Sequence, residues 1–280
     1  MKVRVTSGIA GAILLFFVVW SGQIILGLFI LLVSILALNE FYSAVENIGC
    51  KPIKFVGYLS SVFMFLICSK DKLKKLGVNV EFLINPRSVL IGVFLVLLIL
   101  FCYTVFLHSK YNVSDIAASV FGVWYIVFLF SFVILIRNMD NGFHYVWLIF
   151  IGAFATDTFA YFTGYLFGKH KLMPEISPKK TVEGSIGGII GCAAVMGAFG
   201  MYLINSGSAN GVALYHFVIL GLICGVISQI GDWSASAIKR YVNIKDFGNI
   251  MPGHGGALDR FDSILFTAPV VYFYLTGLFA

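Results

Sequence analysis

Residues 88–108 read SVLIGVFLVLLILFCYTVFLH. The run contains no acidic residue, lysine or arginine, and its histidine stands at the very end. As an α-helix, rising about 1.5 Å per residue, it extends about 32 Å, which matches the ~30 Å hydrocarbon core of a bilayer. A helix apolar on every face belongs either at the centre of a large soluble protein or in lipid. The chain has 280 residues, 60% of them hydrophobic and only 11% charged, which is too little polar surface to cover a soluble globule. Lipid is therefore the solvent, and the fold class is an all-α, polytopic integral membrane protein.

Working outward from this run, about nine transmembrane helices are expected, near 5–21, 23–42, 54–69, 88–108, 113–136, 143–168, 186–206, 211–231 and 261–279. The third is short and either slants across the bilayer or enters only its interface. The first follows a basic start as a signal peptide would, but a second apolar run comes at once, without a convincing small-residue cleavage site, so it is read as a membrane helix. Most lysines and arginines fall on the N-terminal side of the membrane when the spans alternate, which puts that side in the cytoplasm. SKDKLKKLGVNVEFLINPR (69–87) is the exception, and it flanks the doubtful third span. The five cysteines are widely spaced, without a CxxC pair or a disulfide pattern, and read as packing residues. No repeat or long linker divides the chain. It reads as a single membrane domain, 1–280, with undiagnostic N-terminal helices over 1–140 and a catalytic half over 141–280.

A net charge of +6 fits an anionic inner leaflet or a polyanionic substrate. No basic domain outside the membrane offers a surface to nucleic acid. The polar exceptions inside the apolar background carry the functional information. Asp157 lies within the sixth span, where an ionised carboxylate costs about 2.5 to 3.5 kcal/mol on insertion scales. Helical spacing places Asp157, Tyr161, Gly164 and Gly168 on one stripe, expected to face the bundle. A structural hydrogen bond to a neighbouring helix would also account for the Asp.

SPKKTVEGSIGG (177–188) precedes the seventh span. In a loop, Lys179 and Lys180 can both reach phosphate oxygens. Thr181 or Ser185 is positioned to cap the next helix, whose N-terminus attracts anions. The lysines also fit an ordinary positive-inside flank.

The most specific polar stretch is KRYVNIKDFGNIMPGHGGALDRFD, residues 239–262. Just upstream, GDWSASAIKRYVN is expected to form a short cytoplasmic helix with Asp232, Ser236, Lys239 and Asn243 on one face. Gly248, Pro252, Gly253, Gly255 and Gly256 then make a turning loop that includes His254. Asp259 and Asp262 follow at i, i+3 in the first turn of the last span. The helix macrodipole alone favours acids there, by about 0.3 to 1 kcal/mol each, but it does not account for Asp232. Carboxylates beside phosphate-binding cations suit Mg²⁺, a hard ion that prefers oxygen. Zinc is disfavoured, since no cysteine accompanies the histidine. These parts fit phosphoryl or nucleotidyl transfer at the cytoplasmic surface. There is no GxxxxGK[ST] loop and no GxSxG elbow. An isoprenoid-alcohol kinase would use similar parts, and a transporter would place Asp157 on its path.

SAIKRYVNIKDFGNIMPGHGGALDRFD resembles the signature of the phosphatidate cytidylyltransferases, or CDP-diacylglycerol synthases. Ser236, Lys239, Arg240, Lys245, Asp246, Pro252, His254, Gly255, Gly256, Asp259, Arg260 and Asp262 match its pattern. SPKKTVEG and DTFAYFTG resemble two further motifs of the family, with Val182 standing where an aromatic is expected. The resemblance implies a Mg²⁺-dependent homodimer of the cytoplasmic (inner) membrane, with its site facing the cytoplasm. It would transfer CMP from CTP to phosphatidate, giving CDP-diacylglycerol and pyrophosphate. On that reading Asp232 and Asp259 are metal ligands, with Asp262 and Asp157 as further ligands or their supports. Lys239, Arg240, Lys245 and His254 would grip the triphosphate, and Lys179 and Lys180 a substrate phosphate. Ser236, Asp246, Gly255, Gly256 and Arg260 would complete the binding surface, and a second cation of unknown identity is compatible with it.

Overall fold

The computed structural model describes residues 2–80, 82, 85–250, 253 and 255–279. Among the described residues seven helices are long and apolar enough to cross a membrane: Gln23–Glu46, Arg87–Phe106, Val113–Asn138, Gly142–Phe167, Val182–Asn205, Leu214–Tyr241 and Leu258–Leu278. The other two expected spans fall on the shorter apolar helices Thr6–Trp20 and Lys54–Cys68. The chain is thus a polytopic, predominantly helical membrane protein, and the count of nine is not reached by length and composition. The described residues cluster as two compact units, the first comprising Met1–Asn138 with Val242–Arg260, the second Met139–Tyr241 with Phe261–Ala280.

The first unit holds α1 (Lys2–Trp20), α2 (Gln23–Glu46), α3 (Lys54–Cys68), α4 (Lys70–Lys75), α5 (Pro86–Phe106), α6 (Val113–Gly122) and α7 (Leu129–Asn138). A π-helical segment, Val123–Phe128, joins α6 to α7. Tyr42 of α2 is fully buried and its hydroxyl donates to the Ser119 carbonyl at 3.0 Å. Gly57 of α3 and Gly122 of α6 lie against its ring so closely that a Cβ at either would overlap it. Asn112 and Asp115 begin α6 with a reciprocal capping box, which satisfies two of the amides a helix start leaves open. Only 6% of the α5 span is buried, as an all-apolar helix that faces lipid requires.

The second unit holds α8 (Gly142–Phe167), a hairpin of β1 (Lys171–Met173) and β2 (Ser177–Thr181), then α9 (Val182–Asn205), α10 (Leu214–Tyr241) and most of α11 (Leu258–Phe279). Small residues draw the helices together, since lipid gives apolar side chains no drive to associate and close packing must supply it. A Cβ at Gly188 of α9 would stand 3.0 Å from the Thr156 carbonyl oxygen of α8, and one at Gly225 of α10 would stand 2.8 Å from Ile189 Cα.

Three expectations need correction in this unit. The SPKK segment is not an open loop but strand β2, antiparallel to β1 with Lys171 opposite Thr181 and Met173 opposite Ser177. GDWSASAIKRY is not a separate cytoplasmic helix. It continues the eighth span as one 28-residue helix, α10, because nothing between Gly231 and Tyr241 breaks it. At about 42 Å that helix outreaches the ~30 Å core. Asn243 lies beyond its end in the left-handed region, φ 57°, a conformation asparagine tolerates after a helix, so it leaves the expected face. Finally, the Asp157 stripe divides. Gly164 packs against Thr181 and Gly184, while Tyr161 is 68% exposed and Asp157 is exposed too. The face that meets α9 runs instead through Thr156, Ala160 and Thr163.

Candidate active site

In the second unit the site begins with β2. Successive side chains of a strand point to opposite faces, so Lys179 and Lys180 separate. Lys179 is exposed, while Lys180 turns inward and its Nζ forms an ion pair with Asp232 Oδ2 of α10. The same Nζ lies 5.7 Å from the centre of the Trp233 ring, within the ~6 Å reach of a cation–π contact. The hairpin is held in place for this. Thr181 caps α9 by accepting from the Gly184 amide at 3.2 Å. Glu183, in the first turn of α9, accepts from the Lys169 amide at 3.1 Å and the His170 amide at 3.2 Å, and its Oε1 lies 2.6 Å from His170 Nδ1. Arg240 Nε donates to the Ile176 carbonyl at 3.3 Å, tying the hairpin turn to α10.

Asp262 of α11 is buried, 8% exposed, and stands within electrostatic range of Asp232, Asp157 and Lys239. Its Oδ1 accepts from the Ser263 amide at 2.7 Å. Gly231 makes the approach possible, since a Cβ there would stand 2.7 Å from the Asp262 carbonyl oxygen. Ser236 and Lys239 are half-buried on α10, one and two turns beyond Asp232. In the second unit Lys180 thus contacts Asp232, and Asp262 feels the charges of Asp232, Asp157 and Lys239. Among the described residues no group of three or more His, Cys, Asp or Glu lies close enough to cage a metal ion by itself.

The remaining motif residues belong to the first unit. Lys245, Asp246 and Arg260 are exposed. Asp259 is 6% exposed, and its Oδ2 accepts from the Phe247 amide at 2.7 Å and the Gly256 amide at 3.0 Å. Gly255 follows with φ 87° and with Asp259 Oδ2 2.9 Å from where a Cβ would be, so both its backbone and its space call for glycine. Pro252 and His254 lie outside the described residues.

Three residues here escaped the sequence reading. Glu40 of α2 accepts from the Ala257 amide at 2.9 Å and the Leu258 amide at 2.8 Å. Like Asp157, Glu40 is a carboxylate inside an apolar run, and that is its signal in the sequence. Glu40 sits near the end of its run, however, where an interfacial charge is ordinary. Glu183 and Trp233 were legible only as neighbours of motif residues.

Apolar helices long enough to span a membrane, with lysines and carboxylates among them, are parts a membrane-embedded nucleotidyltransferase would use, and comparison with known proteins supplies that class. The model of the cytidylyltransferase family matches residues 2–278, and the chain belongs to this family. It is 34% identical over 281 residues to a phosphatidate cytidylyltransferase of Bacillus subtilis (strain 168), covering 98% of this chain and 97% of the relative. The phosphatidate cytidylyltransferase of Staphylococcus saprophyticus is 34% identical over 274 residues, with 97% of each chain covered. That of Staphylococcus aureus (strain COL) is 33% identical over 276 residues, again covering 97% of each.

Proposed function

We propose that this enzyme converts CTP and phosphatidate to CDP-diacylglycerol and pyrophosphate. The observation that carries the reading is the Lys180–Asp232 pair, set among Asp157, Asp262 and Lys239, in a chain matched end to end by phosphatidate cytidylyltransferases. A phosphate oxygen of phosphatidate attacks the α-phosphorus of CTP, and the bond from that phosphorus to the bridging oxygen of the β-phosphate breaks. Pyrophosphate leaves with the electron pair. The nucleophile is already anionic, so alignment and charge compensation matter more than a strong base. Lys180 and Lys239 are the cations that offset repulsion between the two substrates. Asp232 orients Lys180, and Arg240 braces the hairpin that presents it.

The donor set suits Mg²⁺. Asp157, Asp232 and Asp262 outnumber Lys180 and Lys239 by one charge, and the donors are oxygens, the ligands this hard ion prefers. Asp232 and Asp262 would hold it, with Asp157 in support. When bound, the ion supplies neutralisation of phosphate charge. The place of Asp259 among its ligands rests on the family resemblance, because its Oδ2 serves two backbone amides. Homodimeric assembly, residence in the cytoplasmic membrane and a site facing the cytoplasm belong to the same proposal. They rest on the resemblance and on the positive-inside bias.

The test uses detergent-purified protein, phosphatidate and CTP labelled at the α-phosphate. Label should pass into CDP-lipid with one pyrophosphate released per turnover. Release of CDP with phosphorylation of a lipid alcohol would instead identify a kinase and overturn the reading.

A further inference from the structure

We infer that Glu40, in a membrane helix far from the motifs in sequence, is a positioning residue that fixes the start of the last helix and with it Asp259. The inference rests on the proposed reaction for its consequence in rate, though not for its structural content.

The last helix starts without a cap of its own. Its first residue is Leu258, so Ala257 occupies the cap position, and alanine has no side-chain acceptor for the amides a helix start leaves open. Glu40 supplies what is missing from another helix. One carboxylate oxygen takes the Ala257 amide and the other the Leu258 amide, and a negative charge there is also favoured by the helix macrodipole. Glu40 is only 5% exposed, so its bonds are shielded from competing water.

The surrounding loop is shaped to this carboxylate. Gly248 and Gly256, at opposite ends of the loop, both lie against it, and a Cβ on either would overlap its oxygens. Gly256 belongs to the HGG motif. Its lack of a side chain therefore has a local cause, namely room for Glu40. Asp259 completes the arrangement from the first turn of α11 by drawing the Phe247 and Gly256 amides onto one oxygen. Two carboxylates thus divide four amides of one loop, Glu40 at the helix start and Asp259 at the turn. Loss of the Glu40 bonds frees the helix start that carries Asp259 and Arg260.

The test compares Glu40→Gln, Glu40→Asp and Glu40→Ala with the wild type in detergent. Gln is nearly isosteric but offers one acceptor and brings two donors toward two amides. Asp keeps both acceptors on a shorter arm. The expected result is a kcat lowered about 10- to 100-fold in the Gln and Ala variants, the range for displaced reacting groups and lost supports. KM for phosphatidate should change little, elution as a folded species should persist, and Asp should recover part of the rate. Hydrogen exchange at the amides of Phe247 and of residues 256–258 should show protection in the wild type that Gln loses. A Gln variant with wild-type kcat and wild-type protection would overturn the inference, as would equal losses in stability, kcat and both KM values. If the wild type makes no CDP-lipid, the proposed function fails, and the exchange result alone then decides whether Glu40 holds the loop.

Discussion

Replacing Asp232 by Asn separates the chemical from the structural role of the Lys180–Asp232 pair. The substitution keeps the size of the side chain and one carbonyl oxygen, and removes the charge that Lys180 Nζ contacts. Opposite unit charges about 4 Å apart attract by about 4 kcal/mol at an effective dielectric constant near 20, but desolvation and side-chain ordering offset most of this. The two side chains are 29% and 28% exposed. The pair thus falls between exposed pairs, about 0.2 to 1 kcal/mol, and buried ones, whose breakage costs about 3 to 5 kcal/mol. A stability loss of roughly 1 to 2 kcal/mol follows, a few degrees in Tm. The effect on turnover should be far larger, about 10³-fold or roughly 4 kcal/mol of barrier, because Asp232 contacts a cation proposed to bind substrate phosphate and is itself a proposed metal ligand. Label transfer from CTP to lipid, measured beside thermal unfolding in detergent, reads both numbers. Lys180→Ala, Asp232→Ala and the double variant complete a cycle. If the pair acts as one unit, the double variant loses no more activity than the worse single variant. An Asp232→Asn enzyme within about threefold of wild-type kcat, or an unfolding shift large enough to explain the loss, would refute this reasoning.

Strand alternation makes Lys179 and Lys180 unequal. Lys179→Ala should cost a few-fold in KM, the scale of an exposed charge, whereas Lys180→Ala should lower kcat at least ~100-fold; steady-state kinetics with both substrates checks this. Chelation by EDTA should abolish pyrophosphate release and added Mg²⁺ should restore it, while full activity in EDTA would remove the metal from the proposal. Gly188→Leu should destabilise the second unit by about 1 to 3 kcal/mol through overpacking against Thr156 and Ala160, visible as a lower Tm in detergent.

The membrane class was legible because lipid imposes one requirement, that a span be long and apolar, and SVLIGVFLVLLILFCYTVFLH states it without help from the rest of the chain. The proposed site residues stood out for the opposite reason, because charge is costly in such a background and is conspicuous wherever it is kept. The geometry of SPKK was not legible. A lysine pair before a span reads equally well as a loop or as a strand, and what decided it was pairing with KLM, which follows Gly168 at the end of α8. GDWSASAIKR was similarly ambiguous. Its helical period was visible, but its continuity with the preceding span was not, since Gly231 can end a helix or, as here, admit a neighbouring backbone.

The order of residues alone determined a polytopic membrane protein with a long charged motif in its C-terminal half, through length, hydropathy and the spacing of that motif. Tertiary structure alone decided which of those charges meet. Lys180 finds Asp232 across 52 positions because a two-stranded hairpin turns one lysine of a pair inward. Glu40 finds Ala257 and Leu258 across more than 200 because a helix start without its own cap must draw acceptors from elsewhere. Periodicity reports the face of an element on which a residue lies, and the partner of that face is set by packing.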